Sequence, residues 1–340
     1  MPILAFLTRR LALSLLVLFG VATIVFMLTR IIPSDPASLY LGPRARPAEI
    51  AEVNARFGFD RPIHEQYVLY VRGLLRGDLG QSLATKRPVV QELGSRMAAT
   101  LELLAAAMAL AVLVGVPLGI ASTRVRGRAS EALVRIASVI GVSMPAFWLG
   151  LLLQLAFVHG LGWFPVAGRV DSGLRFVAPI EPLTGFHLID TLITGNLAAF
   201  RDAASHLVLP AIALAAYPVG LVTRMTRAAM LEVLSQDYIR TARAYGLSEA
   251  RIHGRQALRN AIGPVLTVIG LTLAFLLTGA FYVEVIFAWP GLGSFTVRSF
   301  LNVDYPAILG MTLLGAAGYV LVNLLVDVAQ AIVDPRIRIS

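Results

Sequence analysis

The sequence predicts an all-α integral membrane protein, and three observations carry that prediction. Hydrophobic residues make up 57% of the 340 positions and charged residues only 14%, with a mean hydropathy of +0.76, far from the composition of a soluble domain. Apolar runs recur at the length a bilayer demands of a helix, roughly 20 residues. Arginines gather in alternate connections between those runs, the asymmetry that sets membrane orientation.

Taken in order, the chain opens with a basic stretch, Met1 to Arg10, and a first apolar run, Leu11 to Leu28. No small-residue cleavage site follows in Arg30-Ile31-Ile32-Pro33, so this run reads as an uncleaved helix and not as a signal peptide. Residues 1–32 are thus the amino terminus and first transmembrane helix. Residues 33–96 are mixed and polar with nearly cancelling charge, and predict a small extramembrane subdomain. The remainder, 97–340, predicts a core with further spans at about 97–122 (apolar from Leu103), 136–158 (broken by Pro145), 203–223, 261–283 and 305–326. Pro210 and Pro218 in the 203–223 span free backbone carbonyls, which is tolerable only where neighbouring helices satisfy them. That helix is expected inside the bundle. Gly310, Gly315 and Gly318 in the last span permit close helix packing.

Orientation follows from the loops. Arg124, Arg126, Arg128 and Arg135 stand against Glu131 alone in the second connection. The 224–260 loop carries Arg224, Arg227, Arg240, Arg243, Arg251, Arg255 and Arg259 against Glu232, Asp237 and Glu249. The tail adds Arg336 and Arg338 against Asp334, whereas the opposite connections are neutral or acidic. This bias predicts six helices with both termini and the 224–260 loop in the cytoplasm.

Enzymatic chemistries find no purchase. Lys86 is the only lysine and follows Thr85, so the chain lacks the Gly-Lys pair with which a P-loop reaches phosphates. There is no cysteine, no GxSxG, and no histidine pair at metal-ligand spacing; His64-Glu65 lacks the second histidine of HExxH. No catalytic residue, metal site or cofactor is therefore expected in this chain. The +9 net charge is dealt among separate loops and forms no continuous patch, which argues against nucleic acid.

Leu231 to Pro264 is the longest strongly polar run in the carboxyl half. It reads as two short helices broken at Gly246, Asp237 to Tyr245 and Ser248 to about Leu258. Gly246 suits a left-handed C-cap and Ser248 an N-cap. Thr241, Ala242 and Ala244 give the first helix a slim face. A solvated basic loop would account for the charge alone, but not for the ordered string DYIRTARAxGLS followed by ALRNAIxP. That string resembles the cytoplasmic coupling loop of the permeases of bacterial dipeptide/oligopeptide/nickel ABC importers. Other segments fit the same family: PSDPA, GFDRPIHEQY and GDLGQS between helices 1 and 2, SMPAFW in the third span, and VEVIFAWPGLG after the fifth. Ser34 replaces the family's glycine, Phe59 its leucine, Tyr245 its usual lysine and Gln256 a common histidine. Pro182 to Ala211 looks most like the dipeptide-type members.

The resemblance implies a six-helix type I ABC importer permease bundle with a small extracytoplasmic subdomain between helices 1 and 2, in the bacterial inner membrane. It implies that Asp237, Tyr238, Arg240, Thr241, Ala242, Arg243, Gly246, Leu247 and Ser248 form the ATPase-coupling site. Arg259, Asn260 and Pro264 would support that site, with Pro264 opening the next membrane helix. Glu284, Met144, Pro145 and Phe147 are implied near a gate or the translocation path, with helix packing as the alternative. The partners implied are a homologous second permease, as a heterodimer, two ATPase subunits that bind ATP and Mg, and a periplasmic binding protein. Glu102 reads equally as a solvent-facing residue at its helix edge, and Asn323 and Asp327 as helix-to-helix hydrogen-bonding groups. Two other functions fit the composition: an ion-coupled secondary transporter, which calls for buried charges along the spans, and a non-transport membrane scaffold.

Overall fold

The computed structural model describes residues 2–31, 36–42, 44–124 and 143–333. The first part of the 136–158 span, Ser34, Arg126, Arg128, Glu131, Arg135, Asp334, Arg336 and Arg338 lie outside the described residues, as does the side chain of Asp327. Among the described residues every regular element is a helix. In order these are α1 (Pro2–Ile31), α2 (Pro36–Leu41), α3 (Pro47–Phe57), α4 (Ile63–Leu75), α5 (Val89–Ser122) and α6 (Ala146–Leu153), which continues as a π-helical stretch, Gln154–Gly160. There follow α7 (Leu174–Val177), α8 (His187–Ile193), α9 (Leu197–Leu234), α10 (Asp237–Ala244) and α11 (Glu249–Arg251). A second π-helical stretch, Ile252–Ala257, leads into α12 (Leu258–Ile286), and α13 (Leu292–Leu301) and α14 (Tyr305–Val333) complete the order.

Within the described residues α1, α5, α9 and α14 are each long and apolar enough to cross a membrane. α12 contains the 261–283 run, and α6 with its π-helical continuation forms a shorter apolar helix. Two helices begin well before the apolar runs that announce them. α5 starts at Val89 because Val89 and Leu93 are buried while Glu92 pairs with Arg96 one turn on, an i,i+4 contact that supports a helix. α9 extends from Leu197 to Leu234, past Arg224 and Arg227. Its Pro210 and Pro218 are both buried, in keeping with the sequence reading.

The chain divides into two compact units, residues 3–100 with 290–320, and residues 101–289 with those from 321 on. In the first unit α4 packs on α1: the Thr23 and Tyr67 hydroxyls lie 2.7 Å apart, and Phe26 stacks on Tyr70. Val89, Leu93, Phe295 and Ala307 form a buried cluster. A Cβ at Gly310 would come within 2.6 Å of a Val89 methyl, so only glycine allows that approach. Asp304 organises the loop above this cluster. Val303 has φ +51, a left-handed conformation that β-branched residues avoid, and it closes α13 in a Schellman turn. There the Val303 and Asp304 amides donate to the Phe300 and Ser299 carbonyls at 3.1 and 2.8 Å. The fully buried Asp304 carboxylate then accepts from the Ser82 hydroxyl (2.5 Å) and from the Leu83 and Ala84 amides (3.0 and 3.2 Å).

In the second unit α9 packs against α12, α6 and α8. Gly115 and Gly119, four residues apart on α5, meet Val222 and Thr226, four apart on α9; a Cβ at Gly119 would fall 2.5 Å from the Thr226 side chain. Small residues at this spacing let two backbones approach where lipid supplies no hydrophobic drive. The irregular segment before α9 is pinned by Asp190, which accepts from the Thr184 amide (2.8 Å), the Thr184 hydroxyl (2.6 Å) and the Gly185 amide (3.0 Å). Burial by itself pushes this carboxyl up, but those three hydrogen bonds outweigh it and hold it below the ordinary carboxylate range.

Asp304→Ala leaves the Ser82, Leu83 and Ala84 donors without their acceptor and is expected to cost about 3 kcal/mol or more, with Asp304→Asn intermediate. The apparent melting temperatures of the full chain in detergent check this. A D304A protein as stable as wild type would remove the carboxylate from its organising role.

Candidate functional site

α10 is an eight-residue helix whose two sides differ sharply. Ile239 is fully buried and joins Val222, Met230, Ile252, Ala257, Ala261 and Val265 in one apolar cluster, with Ala242 and Leu247 packed at its edge. Ile239 and Ala242, three residues apart, thus bind the helix to the bundle. Asp237, Tyr238, Arg240, Thr241, Arg243, Ala244 and Tyr245 are exposed. Tyr245 is 82% exposed, an aromatic ring on a polar surface.

The turn that ends α10 is a complete Schellman motif. Gly246 has φ +78, its amide donates to the Arg243 carbonyl at 2.9 Å, and the Leu247 amide reaches the Ala242 carbonyl at 3.2 Å. Leu247 then packs beside Ala242, the apolar contact that accompanies this motif. Ser248 stands at the N-cap of α11 with extended backbone, but its hydroxyl makes no capping bond. In place of that cap, Arg243 clips the two helices together: its Nε donates to the Glu249 carboxylate at 2.8 Å. That hydrogen bond is the chief cause that holds the Glu249 carboxyl below its ordinary range, and the same bond raises Arg243. A second link ties α10 to α12, the Asn260 amide donating to the Tyr238 hydroxyl at 2.8 Å. Asp237 and Arg240 pair at 3.1 Å with both side chains largely exposed, a contact of little energetic weight. Arg259 is exposed beside Asn260.

The expectation for Pro264 is corrected. Pro264 does not open a helix; it lies inside α12, which starts at Leu258 and continues the helix that begins at Glu249. The polar residues Gln256 to Asn260 are helical because Ile252, Ala257 and Ala261 are buried in the apolar cluster. Pro264 has no N–H for the Asn260 carbonyl, and the helix carries it regardless.

The gate candidates gather at the other end of α12. Glu284 is fully buried, and its carbonyl accepts from the Trp289 amide at 2.7 Å. Ala288 has φ +44 in this turn, a left-handed alanine where glycine is usual. Pro145 precedes α6, and Phe147 reaches Tyr282 with ring centroids 6.2 Å apart. Gly150 lies so near the Phe287 ring that a Cβ would stand 3.1 Å from it. Met144 is half-buried just ahead of α6. Glu102 is not solvent-facing: it is buried, pairs with Arg169 and accepts from the Leu188 amide at 2.8 Å, while Arg169 also covers the Trp289 ring. Nothing local in the sequence announces that pair, whose members are 67 residues apart.

Two family models match the chain. Residues 115–339 match the binding-protein-dependent transport system inner membrane component, and residues 3–105 match the amino-terminal part of such membrane components. The di/tripeptide transport system permease protein DppB of Pseudomonas aeruginosa is 46% identical, over 98% of this chain and 99% of its own length. The probable D,D-dipeptide transport system permease protein DdpB of Escherichia coli is also 46% identical, over 95% and 94%. The glutathione transport system permease protein GsiC of Salmonella paratyphi A is 39% identical, over 94% of each. Among solved structures, a chain of the MetNI methionine ABC transporter in an inward-facing conformation is 18% identical with a TM-score of 0.49, covering 69% of this chain and 94% of that one.

The Arg243–Glu249 clip has a signed pH dependence. Glu249 is held below its ordinary value in the folded chain, so the clip contributes above the ordinary carboxylate pKa, about 4.3, and is lost as pH falls below it. Amide exchange at Leu247 to Ala250, corrected for intrinsic rates, is expected to stay flat at neutral pH and to accelerate below about pH 4.3. Glu249→Gln should abolish that response. Gly246→Ala should loosen the same turn by about 1 kcal/mol through left-handed strain. Unchanged exchange in G246A would contradict the role given to the Schellman turn.

Proposed function

The chain belongs to the family of binding-protein-dependent transport system inner membrane components, and from that premise we propose that it is the permease subunit of an ATP-driven importer of short peptides. The observation that carries this reading is the match, over 98% of the chain, to a di/tripeptide permease. The glutathione permease among the relatives agrees with it, because glutathione is itself a short peptide.

In this reading six helices cross the bacterial inner membrane with both termini in the cytoplasm, supported by the arginine bias of the loops. Residues 1–32 supply the first helix, 33–96 an extracytoplasmic subdomain, and 97–340 the core with the 224–260 coupling loop. Two separate ATPase subunits bind ATP and Mg, and one of them docks on the exposed side of α10: Asp237, Tyr238, Arg240, Thr241, Arg243 and Tyr245. A homologous permease completes a heterodimer, and a periplasmic binding protein delivers the peptide. This chain performs no catalysis.

The physical mechanism is alternating access. The ATPase pair moves α10, and the bundle shifts between two discrete packings, inward-open and outward-open. Coupling requires that the ATPase contact α10 differently in the two states, since a partner with equal affinity for both shifts nothing. Ile239, the Schellman turn, the Arg243–Glu249 clip and the Tyr238–Asn260 bond support this role, because they make the surface stiff while keeping its outer side open. Glu284, together with Met144, Pro145 and Phe147 at the start of α6, then serves the gate end of the path.

The test is co-purification of the tagged chain from its host after mild detergent extraction, combined with uptake of a labelled dipeptide. Wild type should bring down a second permease and P-loop ATPases. Gly246→Pro, or deletion of Arg240 to Gly246, should abolish uptake and ATPase recovery while membrane insertion persists. Normal uptake by either variant would defeat the coupling assignment, and a wild-type chain that purifies without any ATPase would defeat the importer reading.

A further inference from the structure

The first unit forms a half-open cavity of about 200 Å³ that the transport reading does not use. One water needs roughly 10–15 Å³ of such space, so the cavity has room for a group of many atoms. Its walls come from the end of α1, the end of α3, α4, the 78–83 loop and the start of α14. Much of the lining is aromatic: Phe26 stacks on Tyr70 with ring centroids 5.2 Å apart, and Phe57 on Phe59 at 5.6 Å. Leu69 borders the cavity and is 43% exposed, so the space communicates with the surface.

Among the described residues, three polar atoms of this lining are buried without a hydrogen-bond partner: Arg30 Nε, Gln66 Oε1 and the Tyr70 hydroxyl. Buried polar atoms are bonded in the large majority of cases, and three orphans around one cavity call for a common explanation. The Gln66 amide nitrogen donates to the Phe59 and Arg61 carbonyls at 3.1 and 2.7 Å, which fixes the direction of its own oxygen. The Arg30 guanidinium lies over the Phe26 and Phe59 rings, 5.1 and 5.9 Å from their centroids. Those contacts favour a cation but leave its Nε–H without an acceptor among the described residues. Asp78 borders the same space, with one carboxylate oxygen taken by the Gly80 amide at 2.8 Å. Among the described residues it makes no ion pair with Arg30.

A guanidinium and a carboxylate therefore border one cavity without touching each other. A lone anion would satisfy Arg30 and Tyr70 but would add negative charge beside Asp78 and leave Gln66 Oε1 unbonded. A lone cation would serve Asp78 and Gln66 and be repelled by Arg30. We infer that the cavity binds a small zwitterionic group, its anionic oxygens held by Arg30 and Tyr70 and its ammonium by Asp78 and Gln66. The aromatic walls add a face suited to the ammonium. Burial, with a smaller contribution from Tyr67, pushes the Tyr70 hydroxyl up to about 12, so it remains a neutral donor at physiological pH. The same chemistry occurs in a phosphoethanolamine lipid headgroup and in a free amino acid or short peptide.

Native mass spectrometry of the full-length chain, with whatever subunits it retains, separates these sources. The chain is released from nanodiscs of phosphatidylglycerol, which has no ammonium, and then from the same discs with phosphatidylethanolamine or with glycylglycine added. One retained equivalent of phosphatidylethanolamine identifies the headgroup, and one of glycylglycine the free zwitterion. Tyr70→Phe and Gln66→Leu, which conserve volume, should each weaken retention about tenfold. Arg30→Met should abolish it, and Arg30→Lys should weaken it less. The inference is overturned if wild type retains neither probe, if phosphatidylglycerol is retained as well as phosphatidylethanolamine, or if Tyr70→Phe and Gln66→Leu both bind like wild type. Retention is read without ATP or uptake, so its failure leaves the importer reading standing.

Discussion

A backbone amide in hydrocarbon has no water to bond, and most of this architecture follows from that constraint. Each long apolar segment is helical because a helix satisfies its own peptide groups. Of the prolines that interrupt these helices, Pro117 in α5 and Pro264 in α12 are exposed, whereas those of α9 are covered by the protein itself. Pro210 and Pro218 break the hydrogen-bond ladder of α9, and both are buried. The π-helical stretch after α6 begins at Gln154, whose side chain donates to the Val166 and Ile286 carbonyls at 3.0 and 3.2 Å. The Ile286 carbonyl at the end of α12 thus finds a donor that the helix itself cannot supply.

The same need for satisfied backbone explains the buried acids. Asp304 accepts two amides of the 82–84 loop, Asp190 those of Thr184 and Gly185, and Glu102 that of Leu188. Asp304 and Asp190 thereby hold stretches that have no regular structure of their own, and Glu102 satisfies an amide in the first turn of α8, which has no partner within the helix. Hydrogen bonds to the charged form offset the cost of burying it. Packing between helices then falls to small residues, as at Gly115 and Gly119, since lipid is as apolar as any side chain and leaves only close contact to favour association.

How much of this was legible in the sequence follows from the range of each interaction. The helical membrane class was legible, because run length and arginine bias are local properties. So was the left-handed Gly246, since a glycine between two short helical patterns has few other uses. The starts of α5 and α9 were not: Val89 and Leu93 lie in a polar stretch, and their burial with Phe295 and Ala307 carries the helix back to Val89, with the Glu92–Arg96 pair adding local support. Pro264 misled for the same reason. Proline after a polar loop ordinarily marks a first turn, whereas the buried Ile252 and Ala257 carry the helix back to Glu249. Glu102 and Arg169, or Ser82 and Asp304, meet across gaps that no local pattern records.

The continuity of that helix bears on how a push at the membrane surface is felt within the bundle. From Glu249 to Ile286 the chain is helical without a break, on the order of 50 Å at the usual rise per residue. α10 is fastened to its near end at three places: Tyr238 to Asn260, Arg243 to Glu249, and Ile239 against Ile252 and Ala261. At its far end Glu284 is buried and Phe287 is seated against Gly150. Polar links alone would flex, since the Arg243–Glu249 pair is exposed and weak. In the proposed coupling role the buried Ile239 would make α10 and the long helix move together, because a packed core shifts between discrete arrangements and does not deform smoothly. The π-helical stretch and Pro264 both fall in the near half of the rod, the places where a helix bends. In the proposed coupling role a displacement of α10 would be divided between bending there and motion of the straight remainder, and the packing of Ile239 with Ile252, the first residue of the π-helical stretch, and with Ala261 beyond its end favours the second.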